Sequence, residues 1–434
     1  MESCIVYGFH DENCSKTIRF MLANLKYDKV LYVGYRDHLD AANEKVDVLL
    51  FEDVNMANYE NYKYLAEPLD AAIVERYSYC ETICLRMFDR LEFWMEMPYD
   101  KRKVFYLRHL RFWHSIIEKY NVRAFISSNY PHEMFDFIIY SILKGRDASL
   151  IFFTQIEFLN RIMVDDGLCR YSALRRSLES GEKRRISDEV LSYIAKKREK
   201  VPPQPFYMNG FEKRGGQKRP EALIKEYNKH VARPVDLNSS YLFVALHYQP
   251  EMTTSPLAGV FVDQQLILEM LDRYVPDDIW IYVKEHPKQT AIGRNQAFYS
   301  EYANSRRLRF IDTGMVTAEL IDGAKAVVTC TGTVAMEALI RGKPVLLFGD
   351  YYYNLAPGAY TVKTREQCVK AIDWALHEFV YSEEELKNFL QTVYENSFHG
   401  FIDNAYRSCY SAADQAANEQ NLMSLINTMV IQRR

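Results

Sequence analysis

The fold is decided by a stretch in the second half of the chain, AVVTCTGTVAMEALIRGKPVLLF, residues 326–348. It reads as a short apolar strand, Ala326–Cys330, then a polar turn, a helix beginning near Thr333, and a second strand, Pro344–Phe348. Continuous apolar strands that alternate with helices are typical of a parallel sheet covered on both faces. The stretch therefore predicts one repeat of a parallel α/β sheet.

The turn inside this stretch predicts a phosphate site at Thr331, Gly332 and Thr333. Glycine lets the backbone approach a ligand closely, and a helix N-terminus offers free N–H groups and a positive dipole. Glu337 follows about one helical turn later and is placed to accept hydrogen bonds from ribose hydroxyls. The alternative is an ordinary helix cap with a solvent-facing glutamate.

The same alternation of strands and helices continues on both sides of this stretch. The other predicted strands are Ser3–Phe9, Lys29–Tyr35, Val46–Phe51, Arg123–Ser128, Ser149–Thr154, Tyr241–Leu246, Ile279–Val283 and Leu308–Ile311. Helical patterns lie between them, including Asp100–Tyr120, His132–Leu143, Asp263–Tyr274 and Thr317–Asp322. The pattern predicts the α/β class, with two facing Rossmann-like domains and a C-terminal helical tail.

A change in composition separates the two blocks. Residues 183–219 contain 11 Lys or Arg and 4 Asp or Glu, together with proline and glycine signals. We expect an N-terminal acceptor domain over 1–200, a basic linker over 201–236, a C-terminal donor domain over 237–380, and a helical tail over 381–434 that packs toward the N-terminal domain. The basic segment is either a solvated connection or a lip for an anionic acceptor or a membrane surface.

The composition excludes several classes of protein. Of the 434 residues, 48% are apolar and 26% are charged, which are ordinary globular values. A net charge of −4 argues against binding to nucleic acid. The eight cysteines form no CxxC motif, so reduced thiols in a cytoplasmic protein are expected. The start of the chain is unlike a signal peptide, and no apolar run approaches about 18 residues, so no transmembrane helix is expected.

A second candidate site follows the strand that ends at Val283, in the run Lys284-Glu285-His286-Pro287. Because proline cannot continue a central strand, the chain turns there and holds His286 at the carboxyl edge of the sheet. A histidine in this position can donate a hydrogen bond to a phosphate or help to protonate a leaving group. Lys284 either adds positive charge to the site or forms an ordinary ion pair.

A third candidate, His247-Tyr248-Gln249-Pro250-Glu251, follows the strand 241–246. We expect His247, Gln249 and Glu251 to face the donor. There the side chains of Gln249 and Glu251 could bind donor or acceptor hydroxyls. The alternative is a polar turn stabilised by Pro250. Tyr248, together with 351–353, is expected beside the donor loops.

The first block offers a pair of carboxylates, Asp165-Asp166-Gly167. Neighbouring carboxylates raise one another's pKa, and one of them could act as the general base on an acceptor hydroxyl. Asp-Gly is also a common turn signal, so a turn and a base remain equally open. Glu133, after the strand 123–128, is expected in the first turn of the next helix, where an acidic residue suits the helix dipole.

These motifs together resemble capsule and surface-polysaccharide biosynthesis proteins. The resemblance rests on His247-Tyr-Gln-Pro-Glu, Lys284-Glu-His-Pro and the run from Thr331-Gly-Thr through Glu337 to Gly342-Lys-Pro, and it is best over 241–353. Those proteins are similar to GT-B glycosyltransferases that use CMP-activated acidic sugars such as Kdo and nonulosonic acids. The resemblance therefore implies a GT-B fold and a CMP-sugar donor.

Bacterial GT-B sialyltransferases carry an acidic-acidic-Gly motif, then His-Pro, then a Ser/Thr motif. The same order is found here at 165–167, at His286-Pro287 and at 331–333. The resemblance implies that Asp165 or Asp166 deprotonates the acceptor, while His286, Pro287 and the threonine motif hold the CMP phosphate. This chain departs from the pattern because Gly332 separates the two threonines, where adjacent hydroxyl residues are usual.

The resulting hypothesis is a metal-independent glycosyltransferase without a cofactor. It would move a nonulosonic acid, such as sialic or pseudaminic acid, or Kdo from a CMP-sugar to a glycan or lipid-linked oligosaccharide of a capsule or lipopolysaccharide. We expect it to be cytoplasmic, with peripheral contact at the inner face of the membrane left open. The alternatives are a UDP-sugar transferase, a sugar-nucleotide epimerase, a polyol-phosphate transferase, and a non-catalytic assembly protein.

Overall fold

The computed structural model describes residues 2–35, 44–199, 221–232, 234–289, 293–302 and 304–432. Two six-stranded sheets form the centres of two α/β units. The first sheet contains β1 (Ser3–Tyr7), β2 (Lys29–Gly34), β3 (Val46–Leu50), β4 (Val122–Ser127), β5 (Ser149–Gln155) and β6 (Ile162–Asp165). Its order is β3-β2-β1-β4-β5-β6, and its neighbours are parallel except β5 and β6.

The second sheet is parallel throughout. Its strands are β7 (Tyr241–Ala245), β8 (Trp280–Lys284), β9 (Leu308–Ile311), β10 (Ala326–Thr329), β11 (Val345–Leu347) and β12 (Ala359–Thr361). The order is β12-β11-β10-β7-β8-β9. In each sheet the order reverses beside the first strand, between β1 and β4 and between β7 and β10. Ligands of open α/β sheets bind outside the carboxyl ends of strands at such a point.

Helices connect the strands and cover both sheets. In the first unit they are Ser15–Asn24, Phe51–Asn55, Ala71–Arg76, Ser78–Met87, Tyr99–Lys119, Phe135–Leu143, Ser172–Glu179 and Asp188–Lys197. In the second unit and the tail they are Glu221–His230, Gln265–Tyr274, Gln296–Ser300, Thr317–Gly323, Val334–Ile340, Arg365–Asp373, Glu383–Glu395 and Ala412–Ile426. Within the described ranges, no helix combines the length and the apolar character that crossing a membrane requires.

The strand β7 is an example of why the central strands are apolar along their whole length: both of its faces are buried. Successive side chains of a strand point to opposite faces of the sheet. Leu242 and Val244 pack into one buried cluster, whereas Tyr241 and Phe243 pack into the cluster on the other face. Burying one such aliphatic side chain contributes about 1.5–3 kcal/mol, so both faces stabilise the strand.

The C-terminal tail packs on the first unit. The backbone N–H of Phe398 donates to the carbonyl of Ile162, with an N–O distance of 2.7 Å, so the tail pairs with the edge strand β6. The backbone N–H of Lys16 donates to Glu419 Oε1 at 2.9 Å, where the helix Ala412–Ile426 lies along the helix Ser15–Asn24. The tail thus joins the end of the chain to its first helix.

The predicted fold class is confirmed: two Rossmann-like units and C-terminal helices form a GT-B-like architecture. Sequence patterns missed two edge strands, β6 and β12. The helix predicted from His132 begins at Phe135, because the carboxylate of Asp136 accepts the backbone N–H groups of His132 and Glu133 at 3.0 and 2.8 Å. Glu133 therefore lies before the first helical turn, which corrects its expected position.

The proposed basic linker falls largely outside the described residues, since 200–220 and 233 are not among them. Its role as a lip for an acceptor or a membrane stays a prediction.

Candidate active site

Two loops meet at the point where the order of the second sheet reverses. His247 follows β7, and Thr331 follows β10. Nδ1 of His247 lies 3.4 Å from the hydroxyl of Thr331, and that hydroxyl donates to the carbonyl of Thr253. Two of the predicted motifs, 84 residues apart in the sequence, are therefore in direct contact.

A carboxylate holds the imidazole of His247 on its other side. Nε2 of His247 lies 3.0 Å from Glu251 Oε2 and 2.9 Å from the hydroxyl of Thr253. Burial favours the neutral form of Glu251, but the hydrogen bond and charge of His247 outweigh it and hold the pKa of Glu251 below its ordinary value. Glu251 is thus an anion beside the cleft, and it orients His247.

A buried polar network holds the backbone of His286 in place. Glu285 forms a fully buried ion pair with Arg294 at 2.9 Å and accepts a hydrogen bond from Tyr299 at 2.7 Å. The second oxygen of Glu285 accepts the backbone N–H of His286 at 2.7 Å. The ring of Tyr248 packs against the imidazole, with the ring centroids 5.4 Å apart. These contacts position the loop after β8.

The imidazole of His286 is a neutral hydrogen-bond donor. Burial lowers the pKa of His286 to about 4, so the ring is uncharged at pH 7. Its Nδ1 accepts the backbone N–H of Lys288 at 3.2 Å. Because one nitrogen of a neutral imidazole accepts, the other carries the proton, and Nε2 is the donor. The geometry therefore suits an anionic oxygen at Nε2.

Two predicted ligand-binding side chains are engaged by the protein. The ammonium of Lys284 donates to the carbonyl of Met315 at 2.6 Å and to the hydroxyl of Thr317 at 2.9 Å. The side-chain oxygen of Gln249 accepts from Arg294 at 3.2 Å and from Gln264 at 3.2 Å. Both side chains tie the loops of the site together, and direct contact with a donor stays a prediction for them.

The threonine motif is tightly packed. A Cβ on Gly332 would lie 2.9 Å from Thr329 Oγ1, and a Cβ on Gly349 would lie 2.3 Å from Thr331 Cγ2. At both positions only glycine fits beside the neighbouring threonine without a shift of the loop. Thr333 is half-buried and directly precedes the helix Val334–Ile340. The threonine loop thus packs closely against the segment after β11.

Glu337 lies on the boundary between the two units. Its carboxylate is 3.6 Å from the ammonium of Lys197, at the end of the helix Asp188–Lys197. Nearby, the hydroxyl of Tyr352 donates to Glu157 at 2.6 Å, which also joins the second unit to the first. A ligand that engages Glu337 would therefore compete with a contact between the units.

Pro287, also predicted to touch the donor, is exposed beside His286.

The acidic pair differs sharply in environment. Asp165 ends β6 and is buried, accepting from the hydroxyl of Tyr130 at 2.8 Å and from the N–H groups of Asp166 and Tyr171 at 2.8 and 2.7 Å. Burial raises the pKa of Asp165 to about 7 against these hydrogen bonds. These hydrogen bonds connect the loop after β6 to Tyr130, so Asp165 holds this loop in place.

Asp166 is the more exposed and the ionised carboxylate of the pair. Burial alone would raise its pKa, but the hydrogen bond from Ser172 and the charge of Arg170 hold the pKa of Asp166 below its ordinary value. Its Oδ1 is buried and has no hydrogen-bond partner among the described residues. In the same loop, Cys169 Sγ lies 3.2 Å from the carbonyl of Asp350, so this loop touches the second unit after β11.

Sequence reasoning missed Arg90. It lies in a short 3-10 helix, Phe88–Phe93, which carries no recognisable motif. Its Nη2 donates to the carbonyl of Ser255 in the second unit at 2.8 Å. No sequence signal identifies this residue, because its contact with Ser255 depends on how the two units meet. Over the described part of the chain, no group of three His, Cys, Asp or Glu side chains has an arrangement that could hold a metal ion.

Known proteins resemble parts of this chain. Residues 253–363 match the family described as capsule polysaccharide biosynthesis protein, and the resemblance seen in the sequence is confirmed over this segment. Protein FixF of Sinorhizobium fredii is 31% identical over 156 residues, which are 35% of this chain and 36% of that protein. The match thus spans about a third of the length of that relative.

Solved structures show a distant likeness. KpsC of Thermosulfurimonas dismutans, a β-Kdo 2,7 transferase, is 12% identical, with 79% of this chain and 95% of that chain covered and a TM-score of 0.34. UDP-GlcNAc 2-epimerase of Methanocaldococcus jannaschii is 14% identical, with 91% and 99% covered and a TM-score of 0.31. Likenesses this weak do not discriminate between the two activities.

Proposed function

We propose that this chain is a glycosyltransferase of surface-polysaccharide synthesis that uses a CMP-activated acidic sugar. The observations that carry the proposal are the neutral imidazole of His286, whose Nδ1 accepts from Lys288 so that Nε2 is a donor, and the contact between His247 and Thr331 after two neighbouring strands. Donors of this kind stabilise charge that develops on a leaving phosphate oxygen. The match of residues 253–363 to capsule polysaccharide biosynthesis proteins supports the same reaction class.

The proposed reaction transfers one proton to Asp166 and one glycosyl group to the acceptor. The acceptor hydroxyl gives its proton to the carboxylate of Asp166 and forms a bond to the anomeric carbon of the donor. The bond from that carbon to the phosphate oxygen breaks, and CMP leaves as an anion. His286 donates a hydrogen bond to this anion, and Glu337 accepts from the ribose hydroxyls of the nucleotide. Asp165 positions the loop that carries Asp166.

The nucleotide is identified by thermal unfolding of the whole chain with CMP, CDP, UDP and GDP. A ligand that binds only the folded state raises its apparent stability. We expect stabilisation by CMP above the other three. Stabilisation by UDP instead would favour a UDP-sugar transferase or an epimerase, and no response to any nucleotide would favour a non-catalytic assembly protein.

A matched pair of histidine variants tests the part of His286. We expect His286→Ala to weaken CMP binding about tenfold or more, because a hydrogen bond to a charged group is worth about 1.5–3 kcal/mol. His377→Ala is the control, since the side chain of His377 is exposed and lies 3.9 Å from the carboxylate of Asp373 in the second unit. Equal CMP affinity in the two variants would count against His286 as the phosphate donor.

Asp166→Asn separates catalysis from binding. The variant should keep the CMP affinity of the wild type and lose most of its turnover with a CMP-sugar and a glycan acceptor. Normal turnover would remove Asp166 as the base, while leaving the nucleotide site unaffected.

A further inference from the structure

A half-buried cationic side chain lies where the two units meet, with part of its hydrogen-bonding capacity unused. Arg90 belongs to the first unit, and its Nη2 donates to the carbonyl of Ser255 in the loop after β7 of the second unit. Its Nη1 is buried and has no hydrogen-bond partner among the described residues. Buried polar groups are almost always paired, so an unused guanidinium nitrogen indicates a missing acceptor.

The residue that Arg90 contacts shows the same deficit. Ser255 is buried, and its hydroxyl also has no hydrogen-bond partner among the described residues. Two buried donors, one cationic and one neutral, therefore lie together where the units meet. An anion with two oxygens would satisfy both of them at once.

The charges around Arg90 do not supply that anion. Glu133, Asp136, Glu251 and Asp89 surround the guanidinium and favour its charged form, although burial lowers the pKa of Arg90 overall. None of these four carboxylates lies within ion-pair distance of Arg90 in the described structure, and Asp89 is instead paired with Arg102 at 2.6 Å. These carboxylates thus favour the charged form of Arg90, but none of them forms an ion pair with it in the described structure.

We propose that Arg90, with the hydroxyl of Ser255, binds the carboxylate of the acidic sugar in the donor. The proposal rests on the function proposed above and extends it from the nucleotide to the sugar. The planar fork of a guanidinium matches the two oxygens of a carboxylate, whereas His286 and the threonine loop are already assigned to the phosphate. The acidic sugar would then be recognised by residues of both units.

The test compares CMP with CMP-N-acetylneuraminate and CMP-Kdo by titration calorimetry. Wild type should bind at least one of these CMP-sugars more tightly than CMP. Arg90→Ala should weaken that CMP-sugar tenfold or more and change CMP affinity less than twofold. Ser255→Ala removes only a hydroxyl and should weaken the same CMP-sugar several-fold, which tests the site without removing the arginine.

Arg86→Ala is the matched control. Arg86 also reaches from the first unit to the second, where it pairs with Asp263. Its loss should leave the ratio of CMP-sugar to CMP affinity unchanged, which excludes a general effect of losing an arginine between the units. Arg90→Lys should recover only part of the ratio, because lysine keeps the charge and loses the fork.

Three results would overturn this proposal alone. An equal loss of CMP and CMP-sugar affinity in Arg90→Ala would place the arginine at the phosphate. An unchanged ratio in both Arg90→Ala and Ser255→Ala would exclude a contact with the carboxylate, and so would a wild type without preference for either CMP-sugar. In these cases CMP still binds and the nucleotide proposal stands, whereas a wild type that binds no CMP refutes both.

Discussion

Replacing Asp165 with Asn is expected to flatten the pH dependence of the free energy of unfolding. The carboxyl is buried and accepts hydrogen bonds from the hydroxyl of Tyr130 and from the N–H groups of Asp166 and Tyr171. Burial raises its pKa from 3.8 to about 7 in the folded chain. Asparagine keeps a similar shape and an oxygen for the backbone donors but cannot ionise.

The sign and size follow from proton linkage. A pKa that is raised on folding stabilises the protein fully below the unfolded value, and this contribution is lost as the pH rises through the folded value. The window here is therefore about pH 4 to 7. One pKa unit corresponds to 1.36 kcal/mol, so wild type should lose about 3 kcal/mol relative to Asp165→Asn between pH 5 and pH 8.

The assay is urea unfolding of wild type and variant at pH 5, 6, 7 and 8. Glu366→Gln is the control, because hydrogen bonds from its own backbone N–H and from Thr364 hold the pKa of Glu366 below its ordinary value, so the residue stays ionised across this range. That variant should keep the pH slope of wild type. A difference between wild type and Asp165→Asn that stays constant from pH 5 to pH 8 would refute the assignment of the titrating group.

Three further substitutions test the packing and chemistry of the second unit. Gly349→Ala should cost about 1–3 kcal/mol in urea unfolding and weaken CMP binding, because its Cβ would lie 2.3 Å from Thr331 Cγ2; unchanged CMP affinity would contradict this. Glu285→Ala should cost about 3–5 kcal/mol, since it leaves the guanidinium of Arg294 buried and unpaired; a loss under 1 kcal/mol would show that water reaches the pair. Glu337→Ala should weaken CMP about tenfold in calorimetry and leave inorganic phosphate binding unchanged; a loss for both ligands would point to a role in the loop.

The central strands were predictable because burial on both faces leaves a local signature. Each of the ten predicted strands is found within one or two residues at each end, as in Leu308–Ile311. The edge strands β6 and β12 were missed because neither forms a continuous buried apolar run: β12 is half-buried along its whole length, and β6 ends in Asp165. β6 pairs with the tail through Ile162 and Phe398, a contact between residues far apart in the chain.

The candidate site was predictable where polar residues directly follow a strand. His247, His286 and Thr331 could be named because the carboxyl edge of a parallel sheet collects the residues that come next. Lys284 and Gln249 share that position, yet their side chains bond within the protein. Sequence position places a residue at the edge, whereas rotamers and neighbours determine what its side chain contacts.

Local pattern alone thus established the α/β class, the two units, and the loops that carry His286 and Thr331. Apolar periodicity and turn residues encode these features within short windows. The partners of Arg90, the contact of Glu337 with Lys197 and the opposite pKa shifts of Asp165 and Asp166 depended on the assembled chain. Burial and charge act through space, and they become defined only when distant segments pack against one another.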